Sequence, residues 1–240
     1  MLQDRLLKAF WYRIPRPGNF GDILTPLILE SYGYRVQHAM QEDADYIMVG
    51  SIAKIATPRH TVLGSGIMTS TPTLCPESRW IWARGPRTRH AVLANGGECP
   101  EIYGDPALLL PKIISPAKEK KYKIGVVPHY VDYDQVKKLY PDHNVINLIN
   151  ADPRFVIEKI TECEKIISSS LHGIIAAHAY GIPAAWVKFS NKLAGDDTKF
   201  HDHYESVGLK AECSSIDNPI FTNGKIDIRK IDQILREGKF

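Results

Sequence analysis

The segment from residue 165 to residue 189 constrains the fold most, because it contains one complete strand–loop–helix–strand unit. An apolar strand ends in three serines at 168–170, whose hydroxyls are suited to accept hydrogen bonds from the free amides of a helix start. Apolar residues then recur at helical spacing as far as Gly181, the expected left-handed stop, and Pro183 prevents continuation. Because a second apolar strand follows, the unit predicts two parallel strands and a helix that covers their sheet.

Strands alternate with helices in both halves of the 240-residue chain, which favours parallel sheets with right-handed crossovers. The proline and four charged residues within 115–121 are typical of a linker. We therefore predict an α/β fold of two Rossmann-like parallel-sheet domains, residues 1–115 and 116–240, facing each other across a cleft. The first half should contain strands near residues 8–13, 34–37, 46–50, 61–64 and 79–84, and the second near 122–128, 144–148, 166–167 and 184–189.

Composition narrows the classes of protein. A formal net charge of +3 is too small to indicate nucleic-acid binding, yet it is compatible with an acidic substrate or an anionic membrane surface. Four cysteines without CxxC spacing indicate neither zinc nor a disulfide framework. No apolar run approaches the ~18 residues of a membrane span, and residues 1–8 lack a signal-peptide core. We expect a soluble cytoplasmic protein, able to work at the inner face of the plasma membrane.

Several polar loops follow predicted strands, and ligands of open α/β sheets bind at the carboxyl ends of strands. His172 falls in the first helical turn after the serines, beside exposed backbone amides and the positive end of the helix dipole. This is a suitable place for an anion, held with Ser169 and Ser170, and for a proton donor. An equally weighted alternative is a histidine that only caps or packs. The other strand-end loops are Asn19–Asp22, Gly64–Gly66, Arg84–Arg89 and His129.

Each of these loops also has a simpler explanation. Arg84 is the most suitable of three nearby arginines to contact an anionic substrate, although some of the three should be solvated. The turn of Gly64, Ser65 and Gly66 permits close approach to a ligand such as phosphate, and the alternative is an ordinary tight turn without a ligand. Asp22 could cap a helix or line the cleft. Asp105 could form an Asx-turn or contact the substrate. His129 could be a buried structural residue or contact a ligand. His178 is expected in the core or at the surface, and His201 with His203 rarely forms a metal site, so we predict no metal.

Taken together, these motifs resemble the polysaccharide pyruvyltransferase family, in particular its compact exopolysaccharide-type members. The resemblance covers residues 8–208, nearly the whole chain, and is carried by short segments that are specific as a set. In order they are Asn19–Asp22, Gly64–Gly66, Arg84–Gly85, Gly104–Pro106, Val127–His129, Ser168–Gly173, Tyr180–Pro183, and Lys199–Phe200 followed by Asp202 and Tyr204.

The resemblance implies a fold like that of two-domain GT-B glycosyltransferases. It also implies that a pyruvyl group passes from phosphoenolpyruvate to a sugar of a glycan, free or lipid-linked, as a cyclic ketal. His172 matches the family's proposed acid/base histidine, and Arg84 matches an arginine thought to hold phosphoenolpyruvate. Several members have an arginine where this chain has Ser170, and Lys199, Lys188 or His129 could replace it. Asn19, Asp22, Asp105 and the Gly64–Gly66 turn would line the acceptor side of the cleft.

The implied chemistry needs a proton donor, anion-binding groups and a base for the sugar hydroxyls, but no redox cofactor or metal in principle. As an imidazolium, His172 would protonate the enol. The helix dipole alone would lower the pKa of His172 and a bound trianion would raise it, so protonation could be coupled to donor binding. Two alternatives remain at this stage: a nucleotide-sugar glycosyltransferase of the same architecture, and a non-catalytic carbohydrate-binding subunit.

Overall fold

A computed structural model describes residues 5–240, in which the chain forms two parallel five-stranded sheets. The expectation about the start of the chain rests partly on residues 1–4, which lie outside this range. In the first sheet the strand order is β2-β1-β3-β4-β5, and every neighbouring pair is parallel. Its strands are β1 (Leu6–Phe10), β2 (Arg35–His38), β3 (Tyr46–Ile47), β4 (Thr61–Leu63) and β5 (Arg79–Trp82).

The second sheet has the order β10-β9-β8-β6-β7 and is also parallel throughout. Its strands are β6 (Tyr122–Val127), β7 (Asn144–Val145), β8 (Cys163–Ser168), β9 (Ala184–Val187) and β10 (Cys213–Ser214). All four residues of β9 are buried, as expected for a strand covered on both faces. The predicted α/β fold with two Rossmann-like parallel sheets is confirmed.

Seven α-helices connect these strands within the described range. They are α1 (Leu24–Ser31), α2 (Pro86–Ala94), α3 (Tyr133–Leu139), α4 (Pro153–Thr161), α5 (Leu171–Ala179), α6 (Thr198–Ser206) and α7 (Arg229–Glu237). Helix α5 is the covering helix predicted from the segment 165–189, and it also contacts the 3-10 helix Pro106–Lys112 of the first half. No helix of residues 5–240 is long and apolar enough to cross a membrane.

The end of the chain returns to the first sheet. Helix α7 lies there because the hydroxyl of Tyr34 donates to the carbonyl of Leu235 at 2.6 Å and the ring of Phe240 contacts the ring of Tyr34. One hydrophobic core cluster contains residues of both halves. The two sheets are therefore held together by buried apolar contacts as well as by the linker. The division at residues 115 and 116 stays a prediction.

Three details of the secondary structure differ from expectation. The sequence predicts a helix from residue 152 through Cys163, but Cys163 begins β8. It also predicts a final helix over residues 226–237, whereas α7 begins at Arg229. Strand β10 was not predicted, because two residues in a polar segment carry no period-two pattern. None of these differences moves a strand-end loop.

Candidate active site

A cavity of 590 Å³ lies between the two sheets and is lined by loops of both halves. These loops follow the carboxyl ends of β1, β3, β4, β6 and β8, which is where the strand-end argument places a ligand. Another cavity, of 600 Å³ beside the predicted linker, contains none of the predicted site residues. The lining of the first cavity comprises Tyr12, Ile14, Asn19, Asp22, Gly50, Ser51, Ile52, Met68, His129, Tyr130, Val131, Ser170, Leu171, His172, Lys192, Ala194 and Lys199.

The start of α5 presents open backbone amides to this cavity. Ser170 is the N-cap, but its side chain makes no capping hydrogen bond, so the predicted capping by the three serines is wrong. Ser168 Oγ instead accepts from the amide of Ser170, and Ser169 Oγ accepts from the amide of His129 at 2.9 Å. As a result, the amides of Leu171, His172 and Gly173 have no partner among residues 5–240. They remain free to donate to an anion.

The ring of His172 is enclosed between the two halves. Its Nδ1 lies against Gly21, where an added Cβ would come within 2.0 Å of that nitrogen, so only glycine fits there. Its Nε2 lies 3.7 Å from Asp105 Oδ2. Within the described residues, both of these atoms are buried without a hydrogen-bond partner. The other carboxylate oxygen of Asp105 accepts from the amide of Ala107, so Asp105 is both an Asx-type cap and a neighbour of His172.

The protonation of His172 is controlled by its surroundings. Burial lowers its pKa to about 4, with Asp22 acting in the opposite direction and Arg84 and Lys199 adding to the fall. Burial also raises the pKa of Asp105 to about 6, and it raises the pKa of Asp22 from its ordinary value. At neutral pH the imidazole of His172 is therefore neutral, with the carboxyl groups of Asp22 and Asp105 near it.

Lys199 brings a cation into the same cavity from α6. The residue is only 7% exposed, and its ammonium lies 5.5 Å from the centroid of the Phe200 ring but makes no hydrogen bond or ion pair to residues 5–240. Burial, assisted by the charge of Arg84, lowers its pKa to about 8. Burial and the charge of Lys199 likewise lower the pKa of His129 to about 4. A positive charge that faces the cavity without a carboxylate partner in the described range favours an anionic ligand at this end of the cavity.

Arg84 lies behind the cavity wall and is fully buried. Its Nε donates to Asp202 Oδ2 at 2.9 Å, Nη1 to the hydroxyl of Ser51 at 2.5 Å, and Nη2 to the carbonyl of Ile67 at 2.7 Å. All three nitrogens thus bind protein oxygens, and of these partners only Ser51 lines the cavity. Its direct contact with phosphoenolpyruvate stays a prediction.

The Arg84–Asp202 ion pair fixes α6 to the first half. Asp202 also accepts from the amide of Thr88 at 2.8 Å and from its hydroxyl at 2.7 Å. Two outer contacts reinforce this attachment: Arg87 pairs with Glu205 at 2.8 Å, and Ser70 donates to Asp196. Since Lys199 lies on the same helix, these contacts also determine where its ammonium is placed.

The glycine turn at residues 64–66 serves the packing of this region and does not line the cavity. A Cβ at Gly64 would lie 2.2 Å from Nε1 of Trp82, and one at Gly66 would lie 2.1 Å from Cζ of Arg84. Ser65 donates to the carbonyl of Gly50 at 2.9 Å. The loop of Asn19 does reach the cavity, because the amide of Phe20 donates to Leu148 of the second half. Asn19 in turn donates to Asp22 at 3.1 Å.

The remaining histidines of interest form a buried pair outside the cavity. His178 Nδ1 lies 3.1 Å from His203 Nε2, and the two rings are stacked. His201 contacts Trp186 instead. Among residues 5–240 no three His, Cys, Asp or Glu side chains are grouped as metal ligands. The expectation that the protein needs no metal or cofactor stays a prediction.

Several cavity residues were not identified from the sequence. Tyr12 and Ile14 follow β1, and Tyr130 and Val131 follow β6, so their strand-end position was the available signal. Lys192 lies in a polar segment without periodicity, which carries no signal. Asp202 belongs to the family-like motif, but its partner Arg84 is 118 residues away in sequence and could not be inferred.

Comparison with known proteins identifies relatives of this site. A family model described as polysaccharide pyruvyl transferase matches residues 73–191, which include Arg84, Asp105 and His172. An uncharacterized protein of Acanthamoeba polyphaga mimivirus is 33% identical over an alignment of 198 residues, and the alignment covers 77% of this chain and 69% of that protein. The succinoglycan biosynthesis protein ExoV of Rhizobium meliloti (strain 1021) is 29% identical over an alignment of 215 residues, and the alignment covers 83% of this chain and 65% of that protein.

The chain thus spans about two thirds of the length of these curated relatives. No solved structure matches it, so the likeness to GT-B glycosyltransferases stays a prediction. The matched segment carries the helix start and His172, which line the cavity, and Asp105, which lies next to the ring of His172. The chain belongs to the polysaccharide pyruvyl transferase family.

Proposed function

We propose that the protein transfers the pyruvyl group of phosphoenolpyruvate to a sugar of a polysaccharide or of its lipid-linked precursor, with formation of a pyruvate ketal and release of phosphate. Family membership supports a transferase that acts on a polysaccharide. The observation that supports this donor is the convergence, in one cavity, of the unpaired ammonium of Lys199, the open amides of α5 and the buried ring of His172. Phosphoenolpyruvate carries both a phosphate and a carboxylate, which need such groups.

The proposed reaction balances without a redox partner. A proton is added to the methylene carbon of the enol, and the adjacent carbon becomes an oxocarbenium-like centre that one sugar hydroxyl attacks. The carbon–oxygen bond to phosphate then breaks, and a second hydroxyl closes the ketal ring. The two sugar hydroxyls lose two protons in total. One balances the proton that converts the methylene group to a methyl group, and the other leaves with phosphate. The protein must therefore bind anions and move protons.

We assign the proton transfer to Nδ1 of His172. Asp105 faces Nε2 at 3.7 Å and is suited to keep a proton on that nitrogen. The ring is neutral in the free protein at neutral pH, because burial lowers its pKa to about 4. A bound phosphate would favour the imidazolium, which could then protonate the enol through Nδ1. Once neutral again, Nδ1 could accept a hydroxyl proton, with Asp22 beside it as a second base.

Lys199 is the best replacement for the arginine that several family members have at the position of Ser170. It lines the cavity together with Ser170, and apart from a cation–π contact with Phe200 its ammonium makes no hydrogen bond or ion pair to residues 5–240. The Lys188 ammonium is instead 2.5 Å from Asp197, and that side chain is absent from the cavity lining. Burial keeps His129 neutral. Of the three candidates, only Lys199 offers an unpaired positive charge at this end of the cavity.

The test is phosphate release from phosphoenolpyruvate in the presence of oligosaccharides from acid-depyruvylated bacterial exopolysaccharides, succinoglycan among them. We expect release that depends on both substrates, and a product heavier than the acceptor by one pyruvate minus one water. Calorimetry with phosphoenolpyruvate and with a panel of nucleotide sugars is the companion measurement. Binding of a nucleotide sugar but not of phosphoenolpyruvate would replace this proposal with a glycosyltransferase.

A further inference from the structure

The mouth of the active-site cavity is lined by exposed apolar side chains. Tyr12 is 44% exposed, Ile14 79%, Tyr130 36% and Val131 38%, whereas His172 and Lys199 on the floor are buried. The four come from both halves, two after β1 and two after β6. Exposed large apolar side chains grouped at one site usually mark a binding surface.

The two tyrosines are supported on one side and open on the other. The ring of Tyr12 makes an edge contact with Phe10 at 5.2 Å between centroids, and the ring of Tyr130 lies on His129 at 4.5 Å. Neither hydroxyl makes a hydrogen bond to residues 5–240, so both are free to bind a ligand. Rigid rings with a polar tip present an apolar face and a hydrogen-bonding group together.

Polar groups also line the cavity between this mouth and the anion-binding floor. Asn19 and Asp22 line the cavity between the two halves, and they are hydrogen-bonded to each other at 3.1 Å. The remaining lone pairs of Asp22 and the carbonyl oxygen of Asn19 can accept from hydroxyl groups. The 590 Å³ of the cavity lies in the usual range of small-molecule sites, roughly 300–1,000 Å³, and is more than a three-carbon phosphate ester needs.

We infer that the mouth is the acceptor subsite, in which a sugar ring stacks on Tyr12 and Tyr130 and directs its hydroxyls to Asn19 and Asp22. The inference rests on the proposed function, because that proposal places phosphoenolpyruvate at the floor of the cavity. A sugar ring matches this surface since it has apolar C–H faces and a polar rim. A lipid chain would match the apolar faces only, and it would offer no hydrogen bonds to the tyrosine hydroxyls or to the remaining lone pairs of Asp22.

The experiment combines two binding measurements on the full chain. The first measurement uses protein to which phosphoenolpyruvate has been added in excess. Saturation-transfer difference NMR then detects its contact with oligosaccharides prepared from acid-depyruvylated succinoglycan and other exopolysaccharides. Calorimetry measures phosphoenolpyruvate binding without sugar. The variants are Tyr12→Ala, Tyr130→Ala and their double substitution. Phe155→Ala is the matched control, because Phe155 on α4 is 47% exposed and lies outside the cavity. Thermal unfolding verifies that each variant is folded.

We expect each tyrosine substitution to weaken sugar binding about tenfold, with phosphoenolpyruvate affinity and the control unchanged. Unchanged sugar contact in the double variant would overturn the inference, as would contact of the wild type with a polyprenyl phosphate but with no sugar in the panel. If the wild type contacts the sugar at the tyrosines but releases no phosphate, the acceptor subsite stands and the proposed reaction fails.

Discussion

Two cationic side chains near the cavity have opposite environments, although the sequence predicts both as donor contacts. Arg84 of the first half donates from all three nitrogens to protein oxygens, chiefly to Asp202. Lys199 of the second half is nearly as buried, yet its ammonium makes no hydrogen bond or ion pair to residues 5–240. The charge of Arg84 therefore stabilises the fold, whereas the charge of Lys199 is available to bind a ligand.

The difference shows how a positive charge can act on a site without touching the ligand. Arg84 holds Asp202, and Asp202 lies on the helix that carries Lys199. Its charge also contributes, after burial, to lowering the pKa of Lys199 to about 8. Arg84 therefore positions and tunes Lys199 from behind the cavity wall, and the two residues should respond differently to substitution.

The largest effect is expected at the floor of the cavity. His172→Ala removes the group proposed to move the proton, and loss of a single acid/base group typically lowers the rate by ~10²–10⁴. The turnover rate with phosphoenolpyruvate and acceptor should fall by this factor. His90→Ala is the control, because His90 is exposed on α2 outside the cavity. Near wild-type turnover of His172→Ala would remove His172 from the chemistry.

Substitution of Arg84 should mainly reduce stability. Arg84→Met leaves Asp202 buried without its charge partner, and breaking a buried ion pair costs about 3–5 kcal/mol. Urea unfolding without any ligand measures this loss, and Arg84→Met combined with Asp202→Leu should recover part of it. Unchanged stability together with a selective loss of phosphoenolpyruvate affinity would instead make Arg84 a direct ligand contact.

Lys199→Ala should have the reverse pattern. It removes an unpaired charge from the cavity, so stability should be unchanged or higher. The affinity for phosphoenolpyruvate should fall on the order of 10- to 100-fold, the value of a hydrogen bond to a charged group. Calorimetry measures the affinity, and Lys188→Ala is the matched control because that lysine is paired with Asp197. Equal losses of phosphoenolpyruvate affinity in Lys199→Ala and Lys188→Ala would contradict the proposal that only Lys199 binds the donor.

Acid should weaken the second half through its buried imidazoles. Burial lowers the pKa of His178 to about 4, below the unfolded value of about 6.5, so the unfolded state binds more protons as the pH falls. Stability from this site is complete above pH 6.5 and is lost as the pH falls toward 4. Between pH 7 and pH 5 the loss is about 2 kcal/mol. His178→Gln should reduce the pH dependence of urea unfolding by this amount, and an unchanged dependence would contradict the burial of a neutral ring.

Much of the fold follows from local patterns in the sequence. The unit at 165–189 predicts β8, α5 and β9 because strand and helix periods, Gly181 and Pro183 all agree there. The strand-end rule also places Asn19, Asp22, His129, Ser170 and His172 together. It does not reveal that the Asn19 loop crosses to Leu148, nor that Gly21 makes room for the ring of His172.

What the sequence does not reveal is which charges are already paired. The partner of Arg84 lies 118 residues away on another sheet's helix, and no local period or turn signal connects the two. Ser170 resembles a helix cap in sequence, yet its side chain makes no capping hydrogen bond. Ser168 Oγ accepts from the amide of Ser170, and the first amides of the helix stay without partners among residues 5–240. Both outcomes depend on tertiary contacts, which local propensity cannot determine.

The most direct test of the account is the pKa of His172 measured by NMR with and without phosphoenolpyruvate, using labelled histidine and His172→Ala to assign the signal. In the free protein we predict a pKa of about 4, because burial disfavours the imidazolium. Saturation with phosphoenolpyruvate should raise it, since the donor's negative charge would lie beside the ring. A pKa that does not change, or that falls, when the donor is bound would contradict the claim that this cavity holds phosphoenolpyruvate against His172.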